Sequence, residues 1–102
     1  MSIVNRTLTP TPYAVYTSTG QSVITLGYFC NIDTATQYIN LWLVPNGGSA
    51  DLTNIIYSNV AITHSDTMVL DKEKIILDNG DALYANSSGT GVVVTTIGYI
   101  GL

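Results

Sequence analysis

No charged side chain interrupts this sequence between Thr7 and Ile32, and its 102 residues carry only three basic and seven acidic groups in all. Mean hydropathy is +0.31, high for a small domain that meets water alone. A chain of 10.9 kDa folds to one domain with a modest core and a surface of roughly 5,600 Å². That core cannot absorb so much uncharged surface. A bilayer is no alternative shelter, because the longest apolar run, Leu41–Val44, falls far short of the ~20 residues of a spanning helix. The composition points to burial against other protein chains.

Charge narrows the partners. The net charge is −4, and Arg6, Lys72 and Lys74 are the whole basic complement. They cannot neutralise a row of phosphates, which argues against direct nucleic-acid binding. An anionic membrane is disfavoured for the same reason. The one cysteine, Cys30, excludes an intrachain disulfide and reads as a buried, inert thiol between Phe29 and Asn31. Met1–Pro10 has no apolar stretch of the kind a secretory signal needs, so synthesis in a cytoplasm is expected. There the sequons at Asn5 and Asn86 carry no meaning.

Short runs rich in Val, Ile, Thr and Tyr alternate with Gly, Asn, Asp and Ser. They place strands near Tyr13–Thr17, Ser22–Asn31, Gln37–Val44, Asn54–Ile62, Thr67–Leu70, Lys74–Leu77, Ala82–Ala85 and Val92–Ile100. No window carries a helical stripe. Short strands at this spacing predict an all-β, single-domain antiparallel β-sandwich or jelly roll over residues 13–102. Residues 1–12 read as an extended N-terminal arm, because Pro10 and Pro12 lack backbone donors and resist a sheet interior. On that reading, deleting the arm weakens attachment to a neighbour and leaves the domain folded. Asn79-Gly80, between Ile75-Ile76-Leu77 and Leu83-Tyr84, predicts a hairpin, since both residues accept positive φ.

The chain offers little chemistry. His64 is the only histidine and lies in a polar turn, where a metal site would want several converging ligands. Asp78-Asn79-Gly80-Asp81 superficially suggests calcium but lacks the alternating ligands and distal Glu of an EF-type loop. Asp71-Lys72-Glu73-Lys74 reads as a solvated edge or, alternatively, as a polar rim contact. A carboxylate pair for glycoside hydrolysis among Asp71, Glu73 and Asp78 has no support from spacing. No nucleotide loop, serine elbow or zinc-protease motif occurs. The expectation is no enzyme, no cofactor and no metal.

Aromatic side chains carry the remaining signal. In Gln37–Val44, Ile39, Leu41 and Leu43 share one face, and Tyr38, Asn40, Trp42 and Val44 share the other. The first is a core face. If the second is exposed, Tyr38 and Trp42 anchor a subunit interface. The alternatives are cover by a loop or second layer, or stacking on a glycan.

The order of motifs adds a resemblance. Cys30-Asn31 and the Thr34-Ala35-Thr36 turn precede Leu41-Trp42-Leu43-Val44-Pro45-Asn46-Gly47-Gly48. Ile76-Leu77-Asp78-Asn79-Gly80-Asp81-Ala82-Leu83-Tyr84-Ala85 and a Gly-flanked Val-Val-Val-Thr strand follow. Over residues 13–100 this resembles a group of small tailed-phage virion proteins. Asn79 and Tyr84 depart from that pattern, at positions where small or charged residues are commoner. The resemblance implies a β-sandwich structural subunit, and no catalytic residues to carry over. Its expected role is a capsid decoration or cement protein on the outside of the head, bridging capsomers. The expected partners are the major capsid protein and further copies of itself, as a homotrimer, with Pro10, Pro12, Tyr38 and Trp42 at the contacts. A tail, baseplate or fibre-attachment component is the alternative within the virion. A carbohydrate-binding β-sandwich module is the alternative from another class.

Overall fold

The computed structural model describes residues 2–70 and 74–102. They form nine strands: β1 (Ser2–Thr7), β2 (Tyr13–Thr17), β3 (Ser22–Asn31), β4 (Gln37–Val44), β5 (Ile55–Ile62), β6 (Thr67–Leu70), β7 (Ile75–Leu77), β8 (Ala82–Ser87) and β9 (Val93–Gly101). Of the mixed-charge run, residues 71–73 lie outside the described residues.

Pairing is nested. β1 pairs with β9, β2 with β8, β3 with β6 and β7, and β4 with β5, all antiparallel. The chain is one long hairpin rolled up on itself. Cross-pairs β3–β9 and β4–β8 then join the rolled pairs into two sheets. The first runs β1-β9-β3-β6, with β7 continuing the β6 edge along β3, and the second runs β2-β8-β4-β5. This is the jelly-roll arrangement of a β-sandwich.

Alternation decides which side chains meet between the sheets. Phe29 and Ile97 from the first sheet and Ile39, Leu41 and Leu83 from the second are all fully buried. Gly27 keeps room beside them, since an added Cβ would sit 3.3 Å from Ile97 and 3.4 Å from Leu70. The Tyr16 and Tyr99 rings, 4.4 Å apart at their centroids, tie β2 to β9 across the layers. At one end a polar chain runs inward: Tyr16 donates to Ser22 Oγ at 2.8 Å, and the Ser22 and Ser18 hydroxyls lie 2.6 Å apart.

Two expectations need correction. Residues 2–7 are no free arm but an edge strand, registered from Ser2 opposite Tyr99 to Thr7 opposite Val94. Pro10 and Pro12 break the sheet only in the connector that follows β1. There Pro10 and Pro12 are exposed while Leu8 is fully buried. That connector is pinned: Leu8 N donates to Val93 O, Gly91 N to Leu8 O, and Ser87 N to Thr9 O. The domain therefore begins with β1.

Asn79-Gly80 is a turn, with Gly80 at φ 87°, but no hairpin. β7 belongs to the first sheet and β8 to the second, so this turn is a corner between layers. Asp81 holds the corner, its carboxylate accepting Asn46 N at 3.0 Å and Asp78 N at 3.1 Å. Gly80 N donates to Ser18 O, and Asn79 Oδ1 accepts Gly20 N. Positive φ marks a tight reversal without saying which strands it pairs.

Thr95 is the one buried side-chain polar atom without a partner among the described residues, its hydroxyl enclosed opposite Phe29 and Arg6. Val fills the same shape without a polar group to desolvate. Thr95→Val should raise the stability of the domain by about 1 kcal/mol; a fall in denaturation midpoint contradicts this account.

Candidate interaction faces

Charge is segregated by the fold. Among the described residues Arg6 is the only charged side chain within a strand. Asp33, Asp51, Asp66, Asp78 and Asp81 all sit in turns and connectors. Arg6 registers opposite the buried Thr95, so it alternates away from the outer face of its sheet. The strands of both broad faces therefore reach solvent without ions, and the carboxylates ring the ends. Turn chemistry accounts for their placement: Asp and Asn satisfy backbone donors where the ladder stops. Asp51 is typical, its carboxyl held below the usual aspartate value by the Thr53 hydroxyl and then the Thr53 N–H.

The outer face of the first sheet is uncharged and mixes apolar side chains with Asn5, Thr7, Thr67 and Thr96, the Thr96 hydroxyl donating to Asn5 Oδ1 at 2.9 Å. Its rows follow from register. Tyr28 on β3 lies between Thr96 of β9 and Val69 of β6, and the neighbouring row brings Cys30 beside Val94 and Thr67. Further along, Val23 lies between Ile100 and Ile76. At the β1 edge Ile3 opposes Gly98. Three described charges flank this face: Asp66 before β6, Lys74 before β7, and Arg6 in β1, which alternates to the other side.

The second sheet presents a different outer face. Hydrogen bonds cross it in a line: Asn59 N donates to Asn40 Oδ1, Asn40 Nδ2 to Asn86 Oδ1, and Asn86 Nδ2 to Pro10 O. The line spans β5, β4, β8 and the first connector. It spends amide donors and acceptors on the protein itself. Tyr38 flanks the line and is 43% exposed. Trp42, on its other side between Tyr84 and Ile55, is only 8% exposed. Period two placed Trp42 on the outer side correctly, yet its indole is covered within the chain. It offers almost no area to a partner or a sugar ring. The burial reading, not the exposed-anchor reading, describes Trp42; Tyr38, Pro10 and Pro12 are accessible.

The remaining candidates sit in turns and connectors, except Cys30 in β3. His64 stands in the β5–β6 turn with Nδ1 2.6 Å from the Asp33 carbonyl oxygen, so that nitrogen carries the proton. Cys30 is half-buried. Both Asp81 oxygens are taken by backbone N–H groups, and Asp78 accepts the Gln21 amide. Among the described residues no group of three His, Cys, Asp or Glu could hold a metal ion.

At the His64 end, Asn31 is fully buried and makes three bonds. Its Nδ2 donates to Ala35 O at 2.9 Å and Ile62 O at 2.8 Å, and its Oδ1 accepts Asp33 N at 2.9 Å. Asp33 continues to Gln37, and Gln37 to Ser88. Sequence reasoning had assigned no role to Asn31, since an Asn ending a strand reads as ordinary turn chemistry.

No protein-family model, curated protein or solved structure matches this chain.

Proposed function

We propose that this protein is a non-catalytic structural subunit of a bacteriophage virion, a decoration or cement protein on the outside of the head. One observation carries the assembly part of this reading: among the described residues, the outward positions of the strands on both broad faces are free of charge, with Arg6 of β1 turned the other way and the carboxylates confined to turns. Such faces pack against protein at low desolvation cost, because no ion must leave water. The motif order shared with small tailed-phage virion proteins supports the placement on a particle. The jelly-roll architecture is compatible with it, since capsid domains use that fold, but lectin domains use it too.

In this role each copy bridges neighbouring capsomers of the major capsid protein and adds buried area at their junction. Many weak contacts act together over the shell. The chain is made in the bacterial cytoplasm and resides in the virion. The glycan-binding alternative is weakened by the covered indole of Trp42 and by asparagine amides already engaged within the protein.

Quantitative mass spectrometry of purified virions tests the proposal. Hundreds of copies per particle are expected for a head protein. A dozen or fewer would move it to the tail, baseplate or a fibre attachment. Absence from the particle, or specific retention on a glycan array, would overturn the reading.

A further inference from the structure

We infer that the outer face of the first sheet binds a second copy of this chain, closing a two-fold dimer. The inference rests on the reading of the protein as an assembly subunit. Six side chains define the face: Ile3, Tyr28, Val69, Ile76, Val94 and Ile100, each between 36% and 64% exposed. They come from all five strands of the sheet, with Gly98 and the hydrogen-bonded Asn5–Thr96 pair among them.

Charge selects the occupant. The strands carry no charge on this face, so a partner surface with ionic groups would bury them unpaired, at a cost of several kcal/mol per ion. The described strands of a second copy bring none to this face, and its exposed Lys74 lies just outside β7. The chain carries a net charge of −4, which would ordinarily oppose self-association. Here the described carboxylates lie in turns at the ends, so face-to-face stacking leaves them at the rim in water.

Size agrees. Four strand positions at ~4.8 Å spacing and ~30 Å of strand give a face on the order of 600 Å². Two copies would bury about 1,200 Å², the lower bound for specific interfaces. A micromolar dimer, with Tyr28 as its central aromatic anchor, is the result to expect.

Edges are the competing route to self-association, and three of the four are blunted. β2 and β5 are interrupted by bulges, with Asn59 of β5 at φ 57°, and the far edge of the first sheet is broken into β6 and β7. A single patch facing itself closes with two copies, whereas a ring of three requires two different patches. The geometry thus favours a dimer over the trimer expected from sequence.

Cys30 reports on the contact, because it lies in the row beside Tyr28, next to Val94. Sedimentation velocity of the full chain from nanomolar to high micromolar concentration should show a monomer–dimer equilibrium. Over the same range the reaction of Cys30 with a thiol reagent should slow as the dimer fills. Tyr28→Glu should weaken dimerisation by roughly 30-fold or more and restore the thiol rate. Tyr38→Glu, on the opposite face, should change neither. If Tyr28→Glu fails to fold, Val94→Glu and the wild-type thiol rate decide. A monomer at every concentration overturns the inference and leaves the face to another protein. So does a dimer that survives both glutamates, or one in which Cys30 reacts at the monomer rate. Copy number in virions is measured separately, so a monomer found in particles sinks only the dimer, and a dimer missing from particles sinks only the virion placement.

Discussion

Removing residues 1–12 will unfold this domain rather than release it from a neighbour. The truncation strips β1 from β9 and takes away Leu8, which is fully buried in the core. Cutting a buried leucine back to alanine alone costs about 2–5 kcal/mol. The deletion also frees the ladder groups on β9 and the donors that Thr9 and Pro10 carbonyls satisfy on β8. The combined loss is about 5 kcal/mol or more, comparable with the 5–15 kcal/mol that holds a small domain together. Circular dichroism of the truncated chain should show no cooperative thermal transition, and Leu8→Ala should show a lowered one. A truncated protein that melts like the full chain would restore the arm reading.

Asn31→Ala should be the most damaging single loss of a polar side chain. The amide bridges the end of β3 to Ile62 at the end of β5, joining the sheets, and to the following turn through Ala35 and Asp33. Alanine leaves two carbonyls and one N–H without partners in a closed site. Each orphaned group costs about 1–3 kcal/mol, with water reaching some of them, so a total of about 3–4 kcal/mol is expected. Asn31→Asp adds a test with a sign. The introduced carboxyl would face the Ala35 and Ile62 carbonyl oxygens, which disfavour its ionised form and raise its folded pKa above the unfolded value. The folded state then holds the proton more tightly, so this variant should be more stable in acid and lose stability as pH rises through that folded pKa. Chemical denaturation of both variants across pH gives the answer. Equal stability of Asn31→Ala and the parent would mean the bridge is dispensable.

Most strands were legible because two signals coincided in them. Gln37–Val44 alternates an aliphatic face with a mixed one and ends at Pro45-Asn46-Gly47, so both its boundaries and the buried Ile39 and Leu41 follow from period two. β1 was missed because the breakers at Pro10 and Pro12 drew the boundary too early. Ser2–Thr7 is an edge strand exposed almost throughout, with little alternation to set against them. The Asn79-Gly80 corner was misread because a positive-φ turn looks alike in a hairpin and between layers. The uncharged outer face of the first sheet was invisible for a different reason. Ile3, Tyr28, Val69, Ile76, Val94 and Ile100 become neighbours only through register between distant strands. Trp42 shows the opposite limit: its side of the strand was readable, but whether that side met water was not.

The nested pairing also dictates when this molecule can become itself. The centre of each sheet is supplied by late strands, β9 between β1 and β3, and β8 between β2 and β4. While the ribosome is still making Ala82–Gly101, β1 and β2 have no partner strand, and β3 and β4 can pair on one side only, with β6 and β7 and with β5. Folding must therefore follow translation of the last strand. The yield in a crowded cell depends on how quickly that closure outruns precipitation.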